Sequence, residues 1–148
     1  MDVLVDTSVW SLALRRRSRQ LGNRDRTLRD ELAELTREGR AVVIGPVRQE
    51  LLSGIQDGAA FERLRERLRA FDDLPLTTDD YEEAASFNNR CRASGVAGSA
   101  VDLLICAAAA RRDLPIFTVD ADFRRYARVL PVRLHEPRSA QRSFREPS

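Results

Sequence analysis

Short, largely apolar runs recur along the chain, and segments of helical periodicity separate them. The runs cover residues 3–5, 41–44 and 114–118, and a final one covers 129–134. Residues 41–44 are rich in β-branched side chains, as is typical of a strand that is buried on both faces. This alternation of strands and helices predicts an α/β fold with a mainly parallel central sheet flanked by helices.

The helices are indicated by apolar residues spaced three or four positions apart. Leu28, Leu32 and Leu35 share one helix face, and Gly39 is placed to end that helix. Pro46 suits the first turn of the helix that follows residues 41–44. The expected helices begin near residues 9, 25, 46, 61, 78, 99 and 120.

Length and composition predict one domain. The 148 residues, 43% of them hydrophobic, are enough for one core and too few for two ordinary domains. We expect the domain to cover residues 1–137 and a polar, arginine-rich tail to cover 138–148. Neither a membrane-spanning run nor a secretory leader is indicated, and Cys91 and Cys106 fall within helices and form no disulfide pattern, so a cytoplasmic location is expected.

The basic residues exclude several classes of catalytic mechanism. All 25 of them are arginine, which excludes mechanisms that need a lysine to form a Schiff base or to hold an aspartyl-phosphate. This argues against receiver domains and haloacid-dehalogenase phosphatases, which also gather aspartates at a sheet edge. His135 is the only histidine, so a ribonuclease mechanism that uses two histidines is excluded as well.

Four acidic residues occupy similar places relative to the predicted strands. Asp6 and Asp120 follow strands, Glu50 lies about one turn into a helix, and Asp102 lies in the first turn of another. Because ligands bind at the carboxyl edge of a parallel sheet, we expect these side chains to converge there. Clustered carboxylates need a counter-charge, and a set of oxygen ligands favours Mg²⁺ or Mn²⁺, which would support hydrolysis of a phosphodiester.

Each acid also has a purely structural interpretation. Ser99 to Asp102 matches a capping box, and Asp120 and Asp122 suit the start of a helix. Asp6 fits an ordinary turn, and a single glutamate on a helix, such as Glu50, is usually solvated. Only their shared position at one sheet edge favours a site, and the role of Asp122 stays open.

The motifs together resemble the PIN-domain ribonucleases, over nearly the whole chain from Val3 to about Leu134. Within these, the chain is most similar to the VapC toxins of bacterial toxin–antitoxin pairs. The resemblance depends on the order and spacing of four motifs, which are Val5-Asp6-Thr7-Ser8-Val9-Trp10, Gln49-Glu50-Leu51-Leu52-Ser53-Gly54, Asp102-Leu-Leu-Ile105-Cys-Ala-Ala108 and Phe117-Thr118-Val-Asp120-Ala-Asp122-Phe123.

The resemblance implies a toxin that is a Mg²⁺- or Mn²⁺-dependent endoribonuclease, a homodimer, and a small antitoxin that blocks its acidic pocket. It implies that Asp6, Glu50, Asp102 and Asp120 hold the metal, and that Thr7, Ser8 and Thr118 hydrogen-bond the acids or their waters. The alternative is a silent PIN-like domain that binds RNA or a protein without cutting. The RNA target and the number of cations stay open. Gly45-Pro46-Val47 departs from the family, which often has a hydroxyl residue there, so the resemblance implies no hydroxyl contact that would orient Glu50.

Surface residues suggest where partners bind. Arg15, Arg16, Arg17 and Arg19 form a basic segment that suits an RNA backbone, although a solvated loop explains it equally well. Trp10 lies among apolar residues, which favours a core or partner-facing role over stacking on a base. An antitoxin groove offering Leu12, Leu32 and Leu52 is the candidate contact surface, with core packing as the alternative.

Overall fold

Three parallel strands form the central sheet of the computed structural model, which describes residues 1–14 and 21–138. The strands are β1 (Val3–Val5), β2 (Ala41–Val42) and β3 (Ile116–Phe117), in the order β2-β1-β3. Both neighbours pair with β1 in parallel, so all three carboxyl ends lie at one edge. The prediction of an α/β fold with a parallel sheet is confirmed. The basic segment expected at Arg15 to Arg19 lies outside the described residues.

Seven helices flank the sheet within the described part of the chain. The predicted helices are all present, and their starts differ from the predicted ones by at most three residues. They are α1 (Thr7–Leu14), α2 (Asn23–Arg37), α3 (Gly45–Leu52), α4 (Gly58–Leu68), α5 (Thr78–Ala93), α6 (Ala100–Arg112) and α7 (Asp122–Val129).

The expected strand over residues 129–134 is reduced to a single bridge between Leu134 and Ile116. The helix α7 continues to Val129, and Pro131 then offers no backbone N–H for a sheet ladder. The backbone hydrogen bonds to β3 are made by the two residues on either side of Leu134. The Ile116 N–H donates to the carbonyl of Arg133, and the Ile116 carbonyl accepts from the N–H of His135.

The helix α6 lies in the middle of the core. Cys106 and the three alanines that follow it have no exposed surface, and the small side chains let neighbouring elements pack closely against this helix. Both cysteines are buried and free, in accord with a packing role. The first turn of α6 carries Asp102 to the edge of the sheet, so a buried helix positions one of the predicted site residues.

Trp10 also belongs to the core. Its side chain is 1% exposed, and its indole N–H donates to the carbonyl oxygen of Val5 at 3.1 Å. The ring lies edge-on to Phe71, with the ring centres 4.8 Å apart. The three leucines expected to line an antitoxin groove do not form one exposed surface. Leu12 and Leu32 are buried, and only Leu52 is partly exposed.

A buried carboxylate joins α5 to α6. Asp80 has no exposed surface and accepts hydrogen bonds from Arg111 at 2.6 Å and from Arg112 at 2.7 and 2.8 Å. It also accepts from the backbone N–H of Thr77, which completes a capping box at the start of α5. The guanidinium of Arg112, more than the opposing burial, holds the pKa of Asp80 well below its usual range. This network fixes the helix that carries Asp102.

The segment after β3 is tied to α2. Arg138 donates to Glu31 at 2.7 Å and to Glu38 at 2.7 Å, and Glu31 is 5% exposed. The first residue of the expected tail therefore contacts the domain, and residues 139–148 lie outside the described residues. Among the described residues, no helix is both long and apolar enough to cross a membrane.

Candidate active site

Asp6 lies at the carboxyl end of β1 and is only 4% exposed. Its Oδ2 accepts hydrogen bonds from the hydroxyls of Ser8 at 2.7 Å and Thr118 at 2.8 Å. The sheet register creates this arrangement, because the Asp6 N–H bonds to the Phe117 carbonyl and so aligns the end of β1 with the end of β3. Burial raises the pKa of Asp6 above 3.8, although the bonds from Ser8 and Thr118 oppose it. The predicted contacts from Ser8 and Thr118 are therefore present, whereas the buried Thr7 hydroxyl has no hydrogen-bond partner among the described residues.

Asp102 lies in the first turn of α6, near the charge of Asp6. Its Oδ2 accepts a hydrogen bond from the hydroxyl of Tyr126 at 2.7 Å. Burial raises the pKa of Asp102 to about 6, the Tyr126 bond opposes this, and the negative charges of Asp6 and Asp120 raise it further. Such a carboxylate gains much from a nearby cation.

The capping interpretation accounts for the backbone N–H of Asp102. The Ser99 hydroxyl accepts from the Asp102 N–H at 3.1 Å, which is one half of a capping box. A complete capping box also needs the carboxylate to accept from the N-cap backbone N–H. The helix α5 has this second contact, from the Thr77 N–H to Asp80. At α6, no described contact joins the Asp102 carboxylate to the Ser99 N–H. The carboxylate of Asp102 instead accepts a hydrogen bond from Tyr126 and lies beside the other acids, so it can take part in a site.

Two more carboxylates come from Asp120, in the turn after β3, and from Asp122, the first residue of α7. The Asp120 N–H donates to the Thr118 hydroxyl at 3.0 Å, and Oδ1 of Asp120 accepts from the Asp122 N–H at 2.9 Å. Each of Asp102, Asp120 and Asp122 has a carboxylate oxygen within 4.8 Å of the others. The structure thus places Asp122, whose role the sequence left open, in the same group as Asp102 and Asp120.

The other two predicted site residues differ in their placement. Asp6 is adjacent to this group, because its charge acts on Asp102 and the Thr118 hydroxyl connects it to Asp120. Glu50 is exposed on α3 and, among the described residues, makes no hydrogen bond or ion pair. It lies outside the group of three, and its role stays a prediction.

Sequence reasoning missed Tyr126, whose hydroxyl bonds to Asp102. The residue lies four positions after Asp122 on α7, so the two share one helix face. This spacing is the signal that could have found it. Burial and the neighbouring carboxylate raise the pKa of Tyr126, so that its hydroxyl stays protonated as a donor.

The donor set fits a hard divalent cation. Three carboxylate oxygens within 4.8 Å of one another, with no cysteine or histidine in the group, match the ligand preference of Mg²⁺ and Mn²⁺. Burial is the main cause of the raised pKa values of Asp6 and Asp102, so it disfavours their ionised forms, which a nearby cation would stabilise.

A cleft of about 680 Å³ opens beside the acidic group, with Asp120 and Thr118 in its wall. Buried apolar side chains line it together with exposed charged ones. Arg24 of α2 and Arg124 of α7 are exposed and have no ion pair among the described residues. The other charged or apolar side chains in its wall include Leu28, Phe117, Leu134 and Glu136.

Residues 3–129 match the PIN domain family. With the parallel sheet and the acidic edge, this match shows that the chain belongs to the PIN-domain family, as the sequence motifs predicted. A comparison with curated proteins gives no significant match.

Three solved structures from other bacteria share the fold. FitAcB from Neisseria gonorrhoeae is 23% identical, with 91% of this chain and 97% of that chain covered and a TM-score of 0.70. VapBC2 from Rickettsia felis, solved with a DNA fragment from its promoter, is 14% identical, with 91% and 98% covered and a TM-score of 0.69. VapBC-5 from Mycobacterium tuberculosis is 22% identical, with 90% and 96% covered and a TM-score of 0.63.

Proposed function

We propose that this PIN-domain protein is the toxin of a toxin–antitoxin pair and acts as a Mg²⁺- or Mn²⁺-dependent endoribonuclease. The observation that carries the proposal is the convergence of Asp102, Asp120 and Asp122, with carboxylate oxygens within 4.8 Å of one another, beside the buried Asp6. One of the similar structures, VapBC-5 from Mycobacterium tuberculosis, is a member of the VapBC family of toxin–antitoxin systems, which supports the biological role.

The residues of the site have different proposed roles. Asp102, Asp120 and Asp122 would hold the cation, and Asp6 is proposed as a further ligand, with its carboxylate oriented by Ser8 and Thr118. When bound, a divalent cation lowers the pKa of a water and offsets charge at the scissile phosphate. Glu50 is proposed as a further ligand, which requires its exposed side chain to turn toward the group.

The cleft supports RNA as the substrate. Arg24 and Arg124 stand at its exposed rim, and guanidinium groups match phosphate oxygens in charge and geometry. Asp120 lies in the same wall, so a strand held by these arginines would pass the acidic group. Such phosphate contacts bind an RNA backbone without reading its sequence.

Partners belong to the same proposal. We infer a homodimer and a small antitoxin that covers the acidic pocket with a basic side chain, in a cytoplasmic setting. Light scattering of the purified chain checks the dimer. Co-purification of the product of the neighbouring reading frame, followed by loss of RNA cleavage in the complex, checks the antitoxin.

The test of the activity uses the purified chain and a labelled single-stranded RNA. We expect cleavage with Mn²⁺, none with EDTA, and none with Asp120→Asn. Asp72→Asn is the matched control, because Asp72 is exposed and has no hydrogen bond or ion pair among the described residues. Cleavage that persists in EDTA, or equal activity of the two variants, would instead favour a silent domain with a contaminating nuclease.

A further inference from the structure

The hydroxyl of Tyr126 connects two helices of the site. Asp120 and Asp122 stand at the start of α7, and Tyr126 lies about one turn further along that helix. Its hydroxyl is 2.7 Å from Oδ2 of Asp102, which belongs to α6. The turn before α7 and the first residue of α7 therefore supply Asp120 and Asp122 to the acidic group, and Tyr126 of the same helix hydrogen-bonds the third member, Asp102.

The ring of Tyr126 has little freedom to move. It is 1% exposed and lies edge-on to Phe123, with ring centres 5.1 Å apart. On another side, a Cβ at Gly98 would clash with the Leu103 side chain and lie 3.2 Å from Cε1 of Tyr126. Because the ring is packed this closely, its hydroxyl has a fixed position relative to Asp102.

We propose that Tyr126 is a positioning residue of the metal site, which orients the Asp102 carboxylate so that it meets a divalent cation together with Asp120 and Asp122. Groups that hydrogen-bond a metal ligand hold its orientation and strengthen binding. Without the hydroxyl, Asp102 would rotate more freely and would be repelled by its acidic neighbours. The inference rests on the metal site of the proposed function and concerns the affinity of that site.

The test measures Mn²⁺ binding without RNA, by calorimetry or by electron paramagnetic resonance of free Mn²⁺. Tyr126→Phe keeps the ring and removes the hydroxyl, and we expect its Kd for Mn²⁺ to rise by about 10- to 100-fold. Tyr81→Phe is the matched control, since Tyr81 is the only other tyrosine and is 52% exposed on α5. Melting in EDTA establishes that both variants are folded.

A double-mutant cycle separates positioning from a general packing role. If Tyr126 acts through Asp102, then Tyr126→Phe should cause no further loss of Mn²⁺ affinity when Asp102→Asn is already present. A full additional loss in that background, or a single-variant loss no larger than that of Tyr81→Phe, overturns the proposal. Binding is measured without RNA, so a protein that binds Mn²⁺ as expected but cuts no RNA would refute the proposed function and leave this inference standing.

Discussion

Replacing Asp102 with asparagine should stabilise the metal-free protein while it abolishes RNA cleavage. The asparagine oxygen can still accept the hydrogen bond from Tyr126, so the packing of the site is kept. The change removes one negative charge from beside Asp6 and Asp120, both of which disfavour ionisation of Asp102. It also removes one hard ligand from the acidic group.

The raised pKa sets the size of the effect. The pKa of Asp102 rises from 3.8 to about 6 in the fold. At neutral pH, the ionised carboxylate therefore lowers the free energy of unfolding by at most about 3 kcal/mol. Solvent screening of this half-buried carboxylate reduces the bound to about 2 kcal/mol. The substitution also removes a favourable interaction of up to about 1 kcal/mol between the Asp102 charge and the helix dipole at the N-terminus of α6. We therefore expect a net gain of about 1 kcal/mol, or about 2–4 °C in Tm.

The sign of the effect depends on pH. Because the folded pKa of Asp102 lies above the unfolded one, the folded wild type binds more protons between these values and loses stability as pH rises from 3.8 to about 6. The advantage of Asp102→Asn should thus be small or reversed below about pH 4 and reach its maximum above about pH 6.

The assay is a melting curve in EDTA at several pH values, beside RNA cleavage in Mn²⁺. Asp72→Asn serves as the control for removing an exposed negative charge. If Asp102 only caps α6, its replacement should lower stability by about 0.5–2 kcal/mol where capping is lost and leave cleavage intact. A destabilised but fully active Asp102→Asn would refute the reasoning.

Three further changes test the elements that support the site. Asp80→Asn should lower the free energy of unfolding in urea by about 3 kcal/mol, because it leaves the two arginines of α6 without their buried partner, and an unchanged value would contradict the network. Thr118→Val removes a donor to Asp6, so calorimetry should show weaker Mn²⁺ binding, with about 1 kcal/mol lost in EDTA. Trp10→Phe should cost about 1–3 kcal/mol by leaving the Val5 carbonyl unpaired; a changed KM for RNA at unchanged stability would indicate base stacking instead.

Hydrophobic periodicity was sufficient to predict the helices and a mainly parallel sheet. It overestimated strand length, because an uninterrupted apolar run does not reveal where pairing stops. Residues 41–44 form only a two-residue strand, and Val43 instead pairs with Asp73 in an isolated bridge. Strand ends depend on which backbone groups find a partner, and that is a property of the tertiary structure.

The candidate site was predictable to the extent that topology determines it. Parallel strands bring the ends of β1 and β3 together, which is why Asp6 and Asp120 were expected at one edge. The direction of a side chain on a helix needs the rotation of that helix as well. On α3, Val47 and Leu51 face the core with no exposed surface, which leaves the neighbouring Glu50 toward solvent.

The acidic group is stable only because other parts of the fold compensate for it. Burial raises the pKa of Asp6 and Asp102, so the metal-free protein holds these charges at a cost in stability. The alanine-rich core of α6 and the Asp80 network keep that helix in place despite the repulsion at its first turn. A cation that offsets the charges would recover this free energy as binding affinity, so the same strain that weakens the metal-free fold favours a metal-dependent site.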